Sequence, residues 1–263
     1  MFDFHLDRFQ YFKTQIENTE TYVIPFIEKF SGPLKKDILE IGSAEGGVLK
    51  GFVNKGCNGV GVELEAWRVE NAEKFLKEDI EAGRIQIYNR NIFDETFAQQ
   101  FKEKFDLIVL KDVIEHIHGQ EELLVKLKNY LRPGGMIYFG FPPWRMPFGG
   151  HQQICTSKIL YKLPWYHILP IPLYVGILKA FGEKQTTINT LLEIKETRIS
   201  IARFERITKS SGYKIIGKTH YLINPIYKYK FGFQPREQYK LITKIPWFRD
   251  FVTTCVYYLI QKK

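Results

Sequence analysis

The sequence predicts an α/β fold with a mostly parallel sheet and helices on both faces. Three observations carry that reading. Short apolar runs near residues 37-42, 58-63, 84-89, 105-110 and 135-141 alternate with longer stretches, several of helical spacing. The first run passes into a glycine-rich turn, ILEIGSAEGG at residues 38-47, which leads to a helix beginning near Val48. The second run, VGVE at residues 60-63, stops on an acid.

The elements follow in chain order. Tyr22, Val23, Phe26, Ile27 and Phe30 recur at helical spacing and make an apolar face ahead of the first strand, and Pro25 either kinks that helix or starts its second half. That segment, residues 1-33, is placed to cover the sheet edge. Between the second and third runs, Val69, Ala72, Phe75, Leu76 and Ile80 make another helical face that Gly83 terminates. FDLIVL at residues 105-110 reads as a fully buried strand.

The turn also discriminates between ligands. A strand, a glycine-rich turn and a later acid suit a nucleoside, with Glu63 placed to accept both ribose hydroxyls. A dinucleotide pyrophosphate requires a glycine where this chain has Ala44, and Glu45 adds a negative charge there. A cationic ligand fits better, which argues against an NAD-dependent oxidoreductase.

With those residues, the KDVIEHI segment at 111-117 and the LRPGG turn at 131-135, the chain resembles the class I S-adenosylmethionine-dependent methyltransferases, in their small-molecule branch. The motifs stand in family order between residues 34 and 141. The resemblance implies a Rossmann-like sheet of seven strands, with the last antiparallel. It implies S-adenosyl-L-methionine as cofactor, with Glu40, Gly42, Ser43, Ala44 and Gly46 at the methionine end. Glu63 and Leu64 would hold the ribose, Asn91 and Ile92 would flank the adenine, and Lys111 and Asp112 would lie beside the sulfonium. Two positions depart from the family's pattern: Ala44 replaces a frequent glycine and Asn91 a frequent aspartate.

Beyond Phe141 the pattern changes. FPPWRMPFGGHQQ, residues 141-153, cannot form a regular helix and is expected to be an ordered loop at a strand's carboxyl end, with Trp144, Phe148 and His151 meeting the acceptor. LPWYHILPIPLYVGIL, residues 163-178, has no acid, Lys or Arg and is expected to hide from water. It is too short and too rich in proline to span a bilayer. Its uses are a cap over the site, a contact with a lipid-linked acceptor or membrane surface, or a subunit interface. The fold resumes with a helix around Ile201, Phe204 and Ile207 and strands near 213-221 and 253-260. Residues 34-263 thus read as one domain with insertions at about 142-198 and 222-250.

Composition narrows the class. The 263 residues carry a formal charge of +9, but Lys and Arg are scattered and no RNA-binding module is evident, which argues against a nucleic-acid substrate. Cys57, Cys155 and Cys255 are widely spaced, with neither a disulfide framework nor metal-ligand spacing, so no metal is expected. The N-terminus lacks the basic start and apolar core of a signal peptide, and a cytoplasmic setting follows, with peripheral membrane contact as the alternative.

The chemistry asks little of the protein. A sulfonium is already an activated methyl donor, so alignment supplies much of the rate and only the acceptor's proton needs a residue. His116 and His151 are the candidate bases, which favours a hydroxyl acceptor on a small molecule such as a sugar, glycan or lipid precursor. Asp112 and Glu115 also have the spacing of a capping box. A non-catalytic cofactor binder or scaffold has the same pattern.

Overall fold

The computed structural model describes residues 7–34 and 37–263. The first six residues of the expected N-terminal segment lie outside that range. The five apolar runs become parallel strands: β1 (Asp37–Ile41), β2 (Asn58–Glu63), β3 (Ile85–Asn89), β4 (Phe105–Lys111) and β5 (Leu131–Phe141). Three more follow, β6 (Tyr213–Ile223), β7 (Arg236–Glu237) and β8 (Cys255–Lys262). The strand order is β3-β2-β1-β4-β5-β8-β6-β7, and β8 runs antiparallel to both its neighbours.

The count of eight corrects the expected seven. β7 is a two-residue edge strand inside the 222-250 segment, paired with β6 through Glu237 and Arg236. Two residues are too few to show any alternation, so only the pairing reveals it.

Helices cover both faces, as the unbroken apolar strands require. Alternate side chains along each strand feed opposite layers. Leu39, Ile108, Leu110 and Phe139 join α6 (Glu95–Gln100), α7 (Gln120–Leu127) and α10 (Ile201–Ser210) in one core. Ile38, Leu107, Val109 and Tyr138 join α2 (Ile24–Ser31) and α3 (Gly47–Val53) in the other. Ahead of α2, α1 (Arg8–Asn18) leads through a π-helical turn (Thr19–Val23), and Pro25 stands in the first turn of α2. No hydrogen bond is lost there, so Pro25 starts the second half rather than breaking the helix. β2 is followed by α4 (Ala66–Phe75) and α5 (Lys77–Glu81), after which Gly83 turns the chain at φ +70°.

Between β5 and α10 the chain builds a third, smaller core. Cys155, Leu160, Tyr166, Tyr174, Leu178, Ile188 and Leu191 pack together, drawn in part from α8 (Ile171–Ala180) and α9 (Gln185–Thr197). The 163-178 stretch only half hides from water, contrary to expectation. Tyr174 and Leu178 are buried, whereas Leu163, Trp165, Ile171 and Leu173 are exposed, Leu173 at 54%. A ten-residue helix against one small cluster has a single buried face, and the apolar residues on the other side stay out. Among the described residues, no helix is long and apolar enough to cross a membrane.

Phe204 locks α10 to the sheet: its ring lies 5.0 Å from those of Phe139 and Phe141 and 4.8 Å from that of Tyr258, fully buried. Phe204→Ala is expected to cost about 3–5 kcal/mol, read as a lower urea midpoint at unchanged slope. A loss below about 1 kcal/mol would show that α10 repacks freely.

Candidate active site

The strand order provides the first element of the site. β1 is hydrogen-bonded to β2 on one side and β4 on the other, so the loops leaving β1 and β4 part above their carboxyl ends and open a crevice. The turn after β1 enters it under conformational tension. Gly42 and Gly46 adopt φ +66° and +78°, and Ala44 adopts +47°, a region where its methyl is unfavourable. Glu63 compensates. Its Oε2 accepts from Ala44 N at 2.9 Å, and its Oε1 accepts from the backbone amides of Leu64 and Glu65 at 2.8 and 3.0 Å, tying the ends of β1 and β2 together. Glu40 does similar work one strand over, accepting from Leu49 N at 2.9 Å so that α3 starts against β1. Burial pushes its carboxyl well above the usual range.

A cavity of about 90 Å³ lies against this turn, lined by Glu40, Gly42, Ser43, Ala44, Lys111 and Asp112 among others. Its roof is α1. Tyr11, Phe12 and Gln15 line it from above, and Gly47 lets α1 approach because a Cβ there would meet the Phe12 carbonyl at 2.7 Å. The N-terminal helix therefore covers the crevice rather than only a sheet edge. Arg8 from the same helix pairs with Glu45 at 2.8 Å, so the negative charge read from the turn is compensated from above.

The end of β4 contributes the charged pair. Lys111 Nζ donates to Asp112 Oδ2 at 2.7 Å, and Asp112, at φ +57°, hangs its amide on the Gly140 carbonyl. Burial works against the Lys111 ammonium, but Asp112 and Tyr11 outweigh it and its pKa rises. Asp112 does not cap the following turn: Ile114–His116 is a short 3-10 helix without a side-chain cap.

That turn brings a second group of side chains to the same strand ends. The rings of His116 and His151 meet edge to face, with centroids 4.9 Å apart. His151 is held at φ +57° after paired glycines, and Gly150 packs against His167 so closely that no side chain would fit. Burial and neighbouring His116 push the His151 imidazole down to about 3, and burial lowers His116 as well. Glu115 is buried beside them, with its carbonyl accepting from Thr197 Oγ1 at the end of α9.

The remaining expected residues are spread more widely. Leu64 is exposed, and Asn91 is exposed with Oδ1 accepting from Phe93 N at 2.9 Å. Ile92 is buried in the core, with its carbonyl accepting from Tyr130 Oη. Phe148 is exposed at 37%. Trp144 turns into the cap, its ring 5.3 Å from His167 and from the Lys195 ammonium. Tyr11, Gln15 and Arg68 were not singled out from sequence, nor was Lys230 in α11 (Tyr227–Phe231), which is close enough to Asp112 to interact electrostatically. Nothing in the lysine-rich 222-250 stretch distinguishes Lys230 from its neighbours; burial, helped by the Lys111 charge and opposed by Asp112, pushes it down to about 8.

Comparison with known proteins agrees with the crevice. A family model described as a methyltransferase domain matches residues 16–154. The chain belongs to that family. S-adenosylmethionine is the cofactor this assignment carries, and the Rossmann-like fold read from the motifs is the fold observed. Ubiquinone biosynthesis O-methyltransferase from Idiomarina loihiensis is 30% identical over 119 residues, covering 43% of this chain and 46% of that protein. The namesake from Actinobacillus pleuropneumoniae serotype 7 is 24% identical over 115 residues, covering 43% and 48%. The match spans about half the length of these curated relatives. Among solved structures, geranyl diphosphate C-methyltransferase from Streptomyces coelicolor, crystallised with S-adenosyl-L-homocysteine, superposes at TM-score 0.57 with 14% identity, covering 93% of this chain and 81% of that one. A possible histamine N-methyltransferase from Thermotoga maritima gives 0.55 at 13% identity, covering 98% and 96%.

Two outcomes test this geometry. Gly42→Ala adds a methyl 2.6 Å from Val113 Cγ2 at a positive φ, and is expected to lower stability by about 1–2 kcal/mol in urea denaturation. For Lys230 the unfolded chain keeps its proton to about 10.5 and the folded chain only to about 8, so stability rises with pH across that window. Lys230→Met is expected to flatten that rise between pH 8 and 10; parallel curves for the two proteins would contradict the burial.

Proposed function

We propose that the protein transfers a methyl group from S-adenosylmethionine to a hydroxyl oxygen of a small molecule. The observation that carries this is the division of one crevice into two chemistries. The Gly42 to Gly46 turn and the Lys111–Asp112 pair line the cavity, and the His116–His151 pair stands beyond it, near enough to Asp112 to feel its charge. When bound, the cofactor supplies a methyl on a sulfonium. Ser43, Ala44 and Glu40 would enclose its methionine end, Glu63 and Leu64 its ribose, and Asn91 and Ile92 its adenine. Asp112 offers a negative charge to the sulfonium side, and its pKa is lowered, with Lys111 opposing the cost of burial.

The cavity is smaller than the roughly 300 Å³ at which small-molecule sites begin. Loading therefore requires α1 to lift at Tyr11, Phe12 and Gln15, which also excludes water once it closes. His116 and His151 are the two candidate bases, and the acceptor's proton goes to one of these imidazoles as its oxygen takes the methyl carbon. Trp144 and Phe148 border the acceptor loop, and Phe148 is the one presented to solvent.

A lipid or quinone precursor is favoured over a sugar. Leu163, Trp165, Ile171 and Leu173 on one insertion, and Leu241 and Trp247 on the other, are exposed apolar groups of the kind that hold a hydrocarbon tail or a membrane surface. The names of the sequence relatives support oxygen as the acceptor atom.

Calorimetric titration with S-adenosylhomocysteine, with NADH in parallel, tests the cofactor. Micromolar affinity for the first and none for the second is expected, and Glu63→Ala is expected to weaken it about tenfold or more, since hydrogen bonds to a charged group contribute about 1.5–3 kcal/mol. Binding of NADH instead would overturn the reading. Transfer of labelled methyl is then sought with phenolic quinone precursors, polyprenyl-linked sugars and free sugars.

A further inference from the structure

The two histidines do not stand alone. One carboxylate oxygen of Glu115, one ring nitrogen of His116 and one of His151 all lie within 4.8 Å of one another. We propose that these three side chains form a site for a divalent transition-metal cation at the acceptor end of the crevice. This deepens the methyltransferase reading and rests on it for the cation's use, although not for its binding.

Four observations support the site. Glu115 is 5% exposed, and its Oε2 has no hydrogen-bond partner among the described residues, an arrangement that usually leaves a buried acceptor at a cost of about 1–3 kcal/mol. A bound cation would remove that cost. The donor set, two imidazoles and one carboxylate, is the one borderline cations such as Zn²⁺ and Fe²⁺ take, with positions left open for other ligands. The loop is specially built to bring His151 in: it stands at φ +57°, behind Gly149 and Gly150, whose hydrogens face the Trp144 carbonyl and the His167 ring where no Cβ fits. Glu115 is also anchored, with Thr197 of α9 and Gln120 of α7 hydrogen-bonded to the carbonyls of residues 115 and 114. Bonds of about 2 Å need the donors to close to about 3.5 Å, which side-chain rotation can achieve.

The surrounding charges are mixed. Asp112 favours a cation at this place, while Lys111, Lys230 and Arg68 oppose it, and Lys111 is already paired with Asp112. The carboxylate of Glu115 must therefore ionise and bind directly. With the cation bound the imidazoles are its ligands, so the base role given to them above belongs to the metal-free site only. The acceptor hydroxyl fills an open position and loses its proton to solvent before α1 closes, and its oxygen then takes the methyl carbon while the carbon–sulfur electron pair stays on sulfur. The acceptor best matched to such a site has two neighbouring oxygens.

The tag-free full chain, treated with EDTA and then titrated with Zn²⁺ in a calorimeter, is expected to bind one equivalent. His116→Ala and Glu115→Gln are each expected to weaken binding at least tenfold, while His118→Ala, outside the cluster, leaves it unchanged. Folding is checked by circular dichroism and by retained S-adenosylhomocysteine affinity in the same samples. Silence toward Zn²⁺ in a chain that still binds S-adenosylhomocysteine would overturn the metal site alone; equal Zn²⁺ affinity in wild type and His116→Ala would do the same. Zn²⁺ binding without S-adenosylhomocysteine binding would instead overturn the methyltransferase reading and leave the site standing.

Discussion

The crevice depends on the position of β1, which is paired on both sides by parallel strands whose connections run in opposite directions. Parallel strands deliver their loops to one end of the sheet, and a reversal of order separates two of those loops. Everything that reads as functional hangs from that gap: the Gly42 to Gly46 turn after β1, Glu63 after β2, and Lys111 with Asp112 after β4. The gap also sets the cost. Ala44, Asp112 and His151 all hold positive φ without being glycine, and each is restrained by neighbours that a free loop would lack.

Glu63 fastens the turn at the crevice. Three backbone amides occupy its carboxylate, and they hold Ala44 in its unfavourable conformation while closing the start of α4. A carboxylate has about four acceptor positions, so room remains for a ribose hydroxyl without dismantling the turn. The acid that reads as a ligand contact is therefore also the fastening of the turn that the ligand meets.

The segments outside the alternating pattern surround the strand ends. α1 roofs the cavity through Tyr11, Phe12 and Gln15, the 142-198 stretch raises a small core of its own, and α11 carries Lys230 toward Asp112. Both insertions leave apolar side chains in solvent, among them Leu163, Ile171, Leu173, Leu241 and Trp247. The family model ends at residue 154, so most of these additions lie beyond it.

The sequence by itself determined the parallel sheet, its five leading strands, the turn at Gly42 to Gly47 and the acid at Glu63, because period and spacing are local and backbone geometry converts them directly into position. It could not reveal β7, whose two residues have no period, nor the exposure of Ile171 and Leu173, which depends on how little core α8 finds to cover it. The same holds for the chemistry. Asp112, Glu115 and His116 are neighbours in the chain and legible as a motif, yet only the folded loop behind Gly149 and Gly150 brings His151 to His116 and sets both beside a buried, unpartnered carboxylate oxygen. Contacts between distant segments are decided by packing, and packing is what a single sequence does not print.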